Sequence, residues 1–206
     1  MASQEKIWDS EYIKNPCKWN KETPYLPNLI KNKSVLEIGV GNGKTLRSIL
    51  RQKPKSITVI DISKEAIKIS KSLFKEKKVN FLKANIKNIP FKEEEFNIIV
   101  CYYIFNNLKE RERKKAVSEI YRVLKRGGKI LFEDFEEGDF RKKEGKEIEN
   151  NTIKKRNNII QHFFTKKEIL LLFTKFSKVK IKEFSFYPFK GKKNIKRKII
   201  SAIFKK

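Results

Sequence analysis

The sequence predicts an α/β fold, a mostly parallel sheet with helices packed on both faces. Three observations carry the prediction. Between residues 33 and 134, β-branched runs alternate with helical patterns, as in strand-helix-strand crossovers. Those runs are apolar almost without interruption, as central parallel strands are when both faces are buried. The first run ends in three glycines at spacing two, Gly39, Gly41 and Gly43, which suits a tight turn from a strand into a helix.

The elements follow in order. Lys33 to Glu37 opens the first strand, which stops at Gly39. Lys44 to Gln52 is a short helix that Pro54 closes. Ser56 to Asp61 (SITVID) is the second strand. Ser63 caps a helix to about Lys77, with Ala66, Ile67, Ile69, Ser70, Leu73 and Phe74 toward its inner face. Val79 to Leu82 and Phe96 to Tyr103 (FNIIVCYY) are strands three and four. Glu110 to Lys125 is helical, with Ala116, Val117, Ile120, Tyr121, Val123 and Leu124 on one stripe; Gly127-Gly128 ends it, and Lys129 to Phe132 is the fifth strand. From Phe135 to Gln161 the chain is polar, charged and weakly periodic. Thr165 and Glu168 form a capping box that opens a helix through Phe173. Val179 to Phe186 and Lys198 to Phe204 alternate as two closing strands. No internal repeat or domain boundary is visible, so one domain over 1–206 is expected.

A length of 206 residues suits one core and is short for two. The longest apolar run, Ile98 to Phe105, is far shorter than the roughly 20 residues of a membrane helix, and MASQEKIWDSEY has no apolar signal core. Two cysteines and one histidine are too few for a Cys/His zinc site or a disulfide framework. No metal or membrane is therefore expected, and Cys17 and Cys101 read as plain thiols of a cytoplasmic protein. The net charge is +26, and the stretch from Arg141 to Lys206 holds 21 basic against 5 acidic residues. Such a field draws polyanions, nucleic acid first. Only nine of the 50 basic residues are Arg, however, and a chain rich in Lys, Ile and Asn can also follow from genome composition.

The glycine turn narrows the ligand. A phosphate-binding Walker loop needs four residues between its first glycine and the Gly-Lys pair; Gly39 leaves three, so Lys44 reads as a solvated first-turn lysine. In the dinucleotide fingerprint the third glycine falls one residue later than Gly43. Glu37, two residues before Gly39, would repel a pyrophosphate and welcome a cationic amino-acid tail. Glu37-Ile-Gly39-Val-Gly41-Asn-Gly43 resembles the first motif of class I methyltransferases that use S-adenosylmethionine (SAM), acidic-x-Gly-x-Gly-x-Gly.

That resemblance runs in order from Ser34 to Asp134. It implies a Rossmann-like sheet of order 3-2-1-4-5-7-6, with residues 1–33 as an N-terminal cap segment, 34–134 as a SAM-binding core and 135–206 on the substrate side. It implies that Asp61 holds the ribose hydroxyls, with Ile62 beside it. In "FLKANIKNIPF", Asn85 stands where an Asp commonly meets the adenine amino group, and Ile86 would offer its N–H. Asn97 replaces another frequent Asp. Cofactor contacts are thus expected from Glu37, Gly39, Gly41, Asn42, Gly43, Asp61, Ile62, Asn85, Ile86 and Cys101. Residues at the ends of strands four and five should face the acceptor: Tyr102, Asn106 and Asn107 as the catalytic set, with Tyr103, Glu133 and Asp134 nearby. Equally, the tyrosines can be core and the asparagines a helix cap. No Asn/Asp-Pro-Pro-aromatic tetrad follows strand four, and neither Cys101 nor Pro16-Cys17 sits where cytosine-C5 chemistry would put its nucleophile.

A second, looser resemblance concerns the ends. "WDSEY" (Trp8 to Tyr12), with Trp19, is similar to aromatic segments that lid a SAM pocket. Asn151 to Phe173 resembles a stretch of tRNA 3-methylcytosine methyltransferases, which implies RNA, and tRNA in particular, as partner. Arg141, Lys155, His162 and Phe163 would then meet substrate, although Lys155 stands for Arg, and Asn157 and Asn158 replace glycines and an acid. Basic and aromatic residues interleave from Lys154 to Lys190, including Phe163, Phe164, Phe184, Phe186, Tyr187 and Phe189, as in single-strand grooves. Other readings stay open: a small-molecule or protein methyltransferase, a non-catalytic RNA-binding or partner subunit, and a membrane-surface helix over Lys193 to Lys206 with Ile195, Ile199 and Ile203 on one face.

Overall fold

The architecture comes from a computed structural model that describes residues 3–16, 26–75, 77–188 and 195–206. The expectations placed on Cys17, Trp19, Phe189, Lys190 and Lys193 lie outside the described residues.

After α1 (Gln4–Lys14) come β1 (Ser34–Ile38), α2 (Lys44–Arg51), β2 (Ser56–Asp61), α3 (Lys64–Leu73), β3 (Asn80–Lys83), β4 (Phe96–Tyr102), α4 (Glu110–Val123) and β5 (Leu124–Phe135). Three short strands follow, β6 (Lys146–Glu149), β7 (Thr152–Lys154) and β8 (Ile160–His162), then α5 (Lys166–Leu172), β9 (Ser177–Phe186) and β10 (Arg197–Lys205). The main sheet runs β3-β2-β1-β4-β5-β10-β9, with β10 antiparallel to both its neighbours and the other pairings parallel. Counting β9 and β10 as the sixth and seventh strands of this sheet gives the expected 3-2-1-4-5-7-6. The order reverses between β1 and β4, so a crevice opens beyond their carboxyl ends.

Strand alternation splits the core into two layers. On one face Leu36, Ile38, Ile99 and Phe132 meet Ala116 and Ile120 of α4 and Ile169 and Phe173 at α5. On the other, Val35, Val59, Val100 and Leu131 meet Leu46 and Ile49 of α2. Aromatic rings concentrate under α5: Phe173 stacks on Phe204 at 4.6 Å and lies 5.5 Å from Phe132 and 5.7 Å from Phe105.

The structure corrects several expectations. Helix α4 stops at Val123, and the chain turns extended at Leu124 instead of continuing to Lys125. Strand β5 runs straight across Gly127-Gly128; the register jumps from Phe96–Leu124 to Ile98–Lys129, and Gly127, at φ 70°, donates its N–H to the Lys206 carbonyl. The surplus residues become a bulge rather than a helix stop. Helix α3 ends at Leu73, which is exposed; its inner face is Ala66, Ser70 and Phe74. Thr165 caps α5 through the Glu168 N–H, but the Glu168 carboxylate turns to His162 and Arg113 instead of completing the box. The polar stretch after β5 forms a second sheet, β6-β7-β8, whose Thr152, Ile153, Ile160 and His162 are buried. Residues 197–205 are strand β10, so the helix reading is wrong there, and no helix of the described residues is long and apolar enough to cross a membrane.

Truncating the aromatic cluster should show its weight. Phe173→Ala is expected to lower the unfolding free energy by about 3–5 kcal/mol, and Leu171→Ala, at an exposed position, by no more than about 0.5 kcal/mol. Urea unfolding monitored by circular dichroism checks both.

Candidate active site

The turn after β1 is walled by three different elements, and each wall presses on one glycine. A Cβ on Gly39 would lie 1.8 Å from Ile104 Cδ1, on Gly41 2.6 Å from the Tyr12 hydroxyl, and on Gly43 2.2 Å from Phe74 Cε2. All three glycines have positive φ, so both space and backbone exclude a side chain. Asn42, between them, is buried and donates to the Pro16 carbonyl.

Glu37 lies beneath this turn, 2% exposed. The Leu46 N–H, in the first turn of α2, donates to its carboxyl, and Oε2 is buried with no hydrogen-bond partner. Burial, and then the charge of Asp61, hold its pKa well above the usual carboxylate range. Asp61, at the end of β2, accepts from the N–H groups of Gly41 at 3.0 Å and Ser63 at 2.9 Å. Burial pushes it up to about 6, against the pull of those donors. Helix α1 forms the outer wall. Its Asp9 accepts from the Ser63 hydroxyl at 2.6 Å, its Glu5 pairs with Lys83, and Tyr12 is buried against Gly41. Ile62 is half-buried beside Asp61. Across β2, Asn85 is half-buried with its Oδ1 accepting from the Lys87 N–H, and Ile86 is buried in the core. Cys101 is also buried, in the layer on the opposite sheet face from Glu37, and burial raises its thiol pKa. Asn97 ties β4 to β1, accepting from the Ser34 N–H and hydroxyl.

The residues expected at the ends of β4 and β5 fall into two groups. Asn106 is 2% exposed, and its amide and N–H both go to Asp134, at 2.7 and 3.0 Å. Asn107 donates to the Tyr103 carbonyl, and Tyr102 is packed in the core beside Val100. These three hold the turn. Burial raises Asp134 to about 7, against the donors from Asn106 and Phe135. Tyr103 and Glu133 are the pair that face each other: the Tyr103 hydroxyl donates to Glu133 Oε1 at 2.7 Å. Tyr103 has φ 59°, a left-handed backbone that non-glycine residues rarely adopt and that concentrates at functional sites. Lys44, expected in solvent, is half-buried with Nζ 5.6 Å from the Tyr103 ring centre.

The four expected substrate residues separate. His162 and Phe163 are buried: His162 joins Thr152 at 2.8 Å and Glu168 at 2.9 Å, and Phe163 packs with Phe135 and Ile153. Phe164 is core too. These rings therefore serve packing, not the aromatic groove expected of them. Lys155 directly follows β7, paired with Glu144, and lines a shallow basic basin with Lys143, Lys146, Lys154 and Arg156. Arg141 reaches the crevice edge, over the Phe135 ring at 5.1 Å.

An orphaned, buried carboxylate oxygen beside a turn that tolerates no Cβ fits a compact cationic tail laid against backbone. The model of the methyltransferase domain matches residues 36–132, which span this turn, Asp61 and both strand ends of the crevice. The chain belongs to the class I SAM-dependent methyltransferases. Among relatives of this methyltransferase, the tRNA N(3)-methylcytidine methyltransferase of Schizosaccharomyces pombe is 29% identical over 205 residues, covering 87% of this chain; the chain spans 66% of that enzyme. An uncharacterized protein of Methanocaldococcus jannaschii is 31% identical over 166 residues, covering 79% of this chain and 73% of its own length. A SAM-dependent methyltransferase of Methanosarcina mazei has the same fold, with TM-score 0.75, 23% identity, and coverage of 90% of this chain and 98% of its own.

The methyltransferase should bind SAM with a pH dependence set by its buried acids. If Asp61 takes two cofactor hydroxyls, as the motif resemblance implies, it must be ionised, so affinity should hold above pH 7 and fall as the pH drops through about 6. Asp61→Ala should lower affinity at least about tenfold, the worth of a hydrogen bond to a charged group, and remove that step. Calorimetry with adenosylhomocysteine from pH 5 to 8 reads both.

Proposed function

We propose that this methyltransferase acts on RNA, with a tRNA cytidine as the acceptor and the cytoplasm as its setting. One observation carries the reading: likeness to the S. pombe tRNA N(3)-methylcytidine methyltransferase covers 87% of the chain, so it extends beyond the 36–132 span of the family model. The positive surplus after Arg141 supports it.

The cofactor supplies a methyl group already activated by a sulfonium. The chain's part is to hold, orient and exclude water. Glu37 takes the ammonium at its free oxygen, and Asp61 takes the ribose hydroxyls. Ile62, Asn85 and Ile86 border the adenine side, and the glycine turn lets the tail lie against backbone. Cytosine N3 attacks through a lone pair and needs no base, so positioning supplies the rate, an effect worth roughly 7–11 kcal/mol when geometry is held. In this reading Glu133, which accepts from the Tyr103 hydroxyl, takes a hydrogen bond from the exocyclic amine. The same pair favours a second reading, a small-molecule or protein acceptor whose attacking atom carries a proton, because Glu133 has its pKa raised by burial and could take that proton.

Incubation with methyl-labelled SAM and separate pools of RNA, protein and metabolites tests the assignment. Label is expected in the tRNA fraction, with 3-methylcytidine after nuclease digestion. Label confined to metabolites or protein would refute it.

A further inference from the structure

Three cations meet on the acceptor side of the crevice, each from a different element. Lys44 opens α2, Arg141 lies in the 3-10 turn Phe140–Glu144, and Arg197 opens β10. Both guanidinium carbons stand 5.1 Å from the centre of one ring, Phe135. Tyr103, under Lys44, lies 5.2 Å from that same ring. Three carboxylates act on them, of which Glu144 reaches Arg141 through its charge and is paired with Lys155. Asp139 is buried and committed: Oδ2 accepts from Arg197 Nε at 3.0 Å and the Lys198 N–H at 2.9 Å, and Oδ1 accepts from the Arg141 N–H. Glu133 accepts from Tyr103. Arg141 Nη1 is buried without a hydrogen bond, its nearest carboxylate oxygen 3.6 Å away on Asp139. Burial first, and then repulsion from Arg197, lower the Arg141 pKa; burial also lowers that of Lys44, against the attraction of Glu133 and with the repulsion of Arg197 and Arg141. The cluster therefore carries more positive charge than its own acids neutralise, with a desolvated donor left over.

Strand register extends the cluster outward. Phe135 pairs with Ile199, which pairs with Phe184; Glu133 pairs with Ser201, which pairs with Lys182; and Arg197 pairs with Phe186. Paired residues share a sheet face, so the crevice and the outer row of β9 lie on one continuous face. Phe184 and Phe186 are 45% and 42% exposed, and Arg197 stands over Phe186 at 5.9 Å. Exposed rings beside lysines are what unstacked bases and their phosphates select. A lone phosphorylated metabolite would need only the crevice.

We propose that Lys44, Arg141 and Arg197 clamp one phosphodiester of a single-stranded nucleic acid next to the methyl acceptor, and that Phe184 and Phe186 stack the bases that follow. The proposal rests on the RNA reading for its polymer and is tested without SAM, so that the two fail separately.

The test is fluorescence anisotropy of a 12-nucleotide oligocytidylate over a range of salt. Competition by cytidine 5′-monophosphate and by inorganic phosphate forms a second arm. Arg141→Gln and Arg197→Gln are each expected to weaken oligonucleotide binding about tenfold and to reduce the log-log salt slope by roughly 0.7. Phe184→Ser with Phe186→Ser should weaken binding and leave the slope unchanged. Lys92→Gln, exposed before β4 at the far end of the strands, should change neither. Arg197 also neutralises Asp139, so Lys44→Gln, which breaks no ion pair with Asp139, repeats the measurement if Arg197→Gln fails to fold. Wild-type affinity and slope in folded Arg141→Gln and Lys44→Gln would overturn the clamp. Monophosphate or phosphate competing as strongly as the 12-mer would overturn the polymer and give the pocket to a small phosphorylated ligand.

Discussion

A carboxylate buried at the end of a central strand, one oxygen unpaired, is the constraint from which the rest of this molecule follows. Left alone, Glu37 is unfavourable: burial disfavours its charge, and the Leu46 N–H satisfies only part of it. The glycine turn above it has no room for a side chain that might supply the missing partner, because Ile104, Tyr12 and Phe74 already fill the walls. The site is thus costly in itself and complementary to a cation. The wall elements are fixed in turn, α1 through Asp9 and Ser63, and the exit of β4 through Asn106 and Asp134.

The two carboxylates of the cofactor side differ in how they are kept. Asp61 accepts from several backbone N–H groups and is raised to about 6, whereas Glu37, with the Leu46 N–H as backbone donor, is held well above the usual carboxylate range by burial. On the acceptor side the balance reverses, with cations in excess around Phe135. Carboxyl groups under the glycine turn and basic side chains around Phe135 give the two ends of the crevice opposite character.

Much of this was legible in the sequence wherever the signal was local. The glycine spacing, Glu37 two residues ahead of it, Asp61 at a strand end and Ser63 as a cap all depend on neighbours a few residues away, and the parallel strands announced themselves by unbroken apolar runs. What failed was set by distant contacts. Strands β6 to β8 are three or four residues long and mostly polar, and the buried Thr152 and His162 are satisfied by each other and by Asn150 and Glu168. Asn106 looked like a catalytic amide because its acceptor, Asp134, lies 28 residues on. Lys44 read as a solvated lysine because Tyr103 and Glu133 come from two other strand ends, and Arg197 was not singled out because only the folded sheet brings β10 to Phe135. The spacing of Phe163 and Phe164 does not say which way a ring points, and both are buried.

The small sheet between β5 and α5 shares its one histidine with the body of the protein. His162 bonds Thr152 within that sheet and Glu168 on α5, and Glu168 in turn pairs with Arg113 of α4. Burial lowers the imidazole pKa, against the pull of its hydrogen bond to Glu168. This small sheet is accordingly no interchangeable cassette: excising it would take from Glu168 its His162 partner and leave that carboxylate its ion pair with Arg113. New acceptor specificity must then be built by changing residues in place, with the seam left intact.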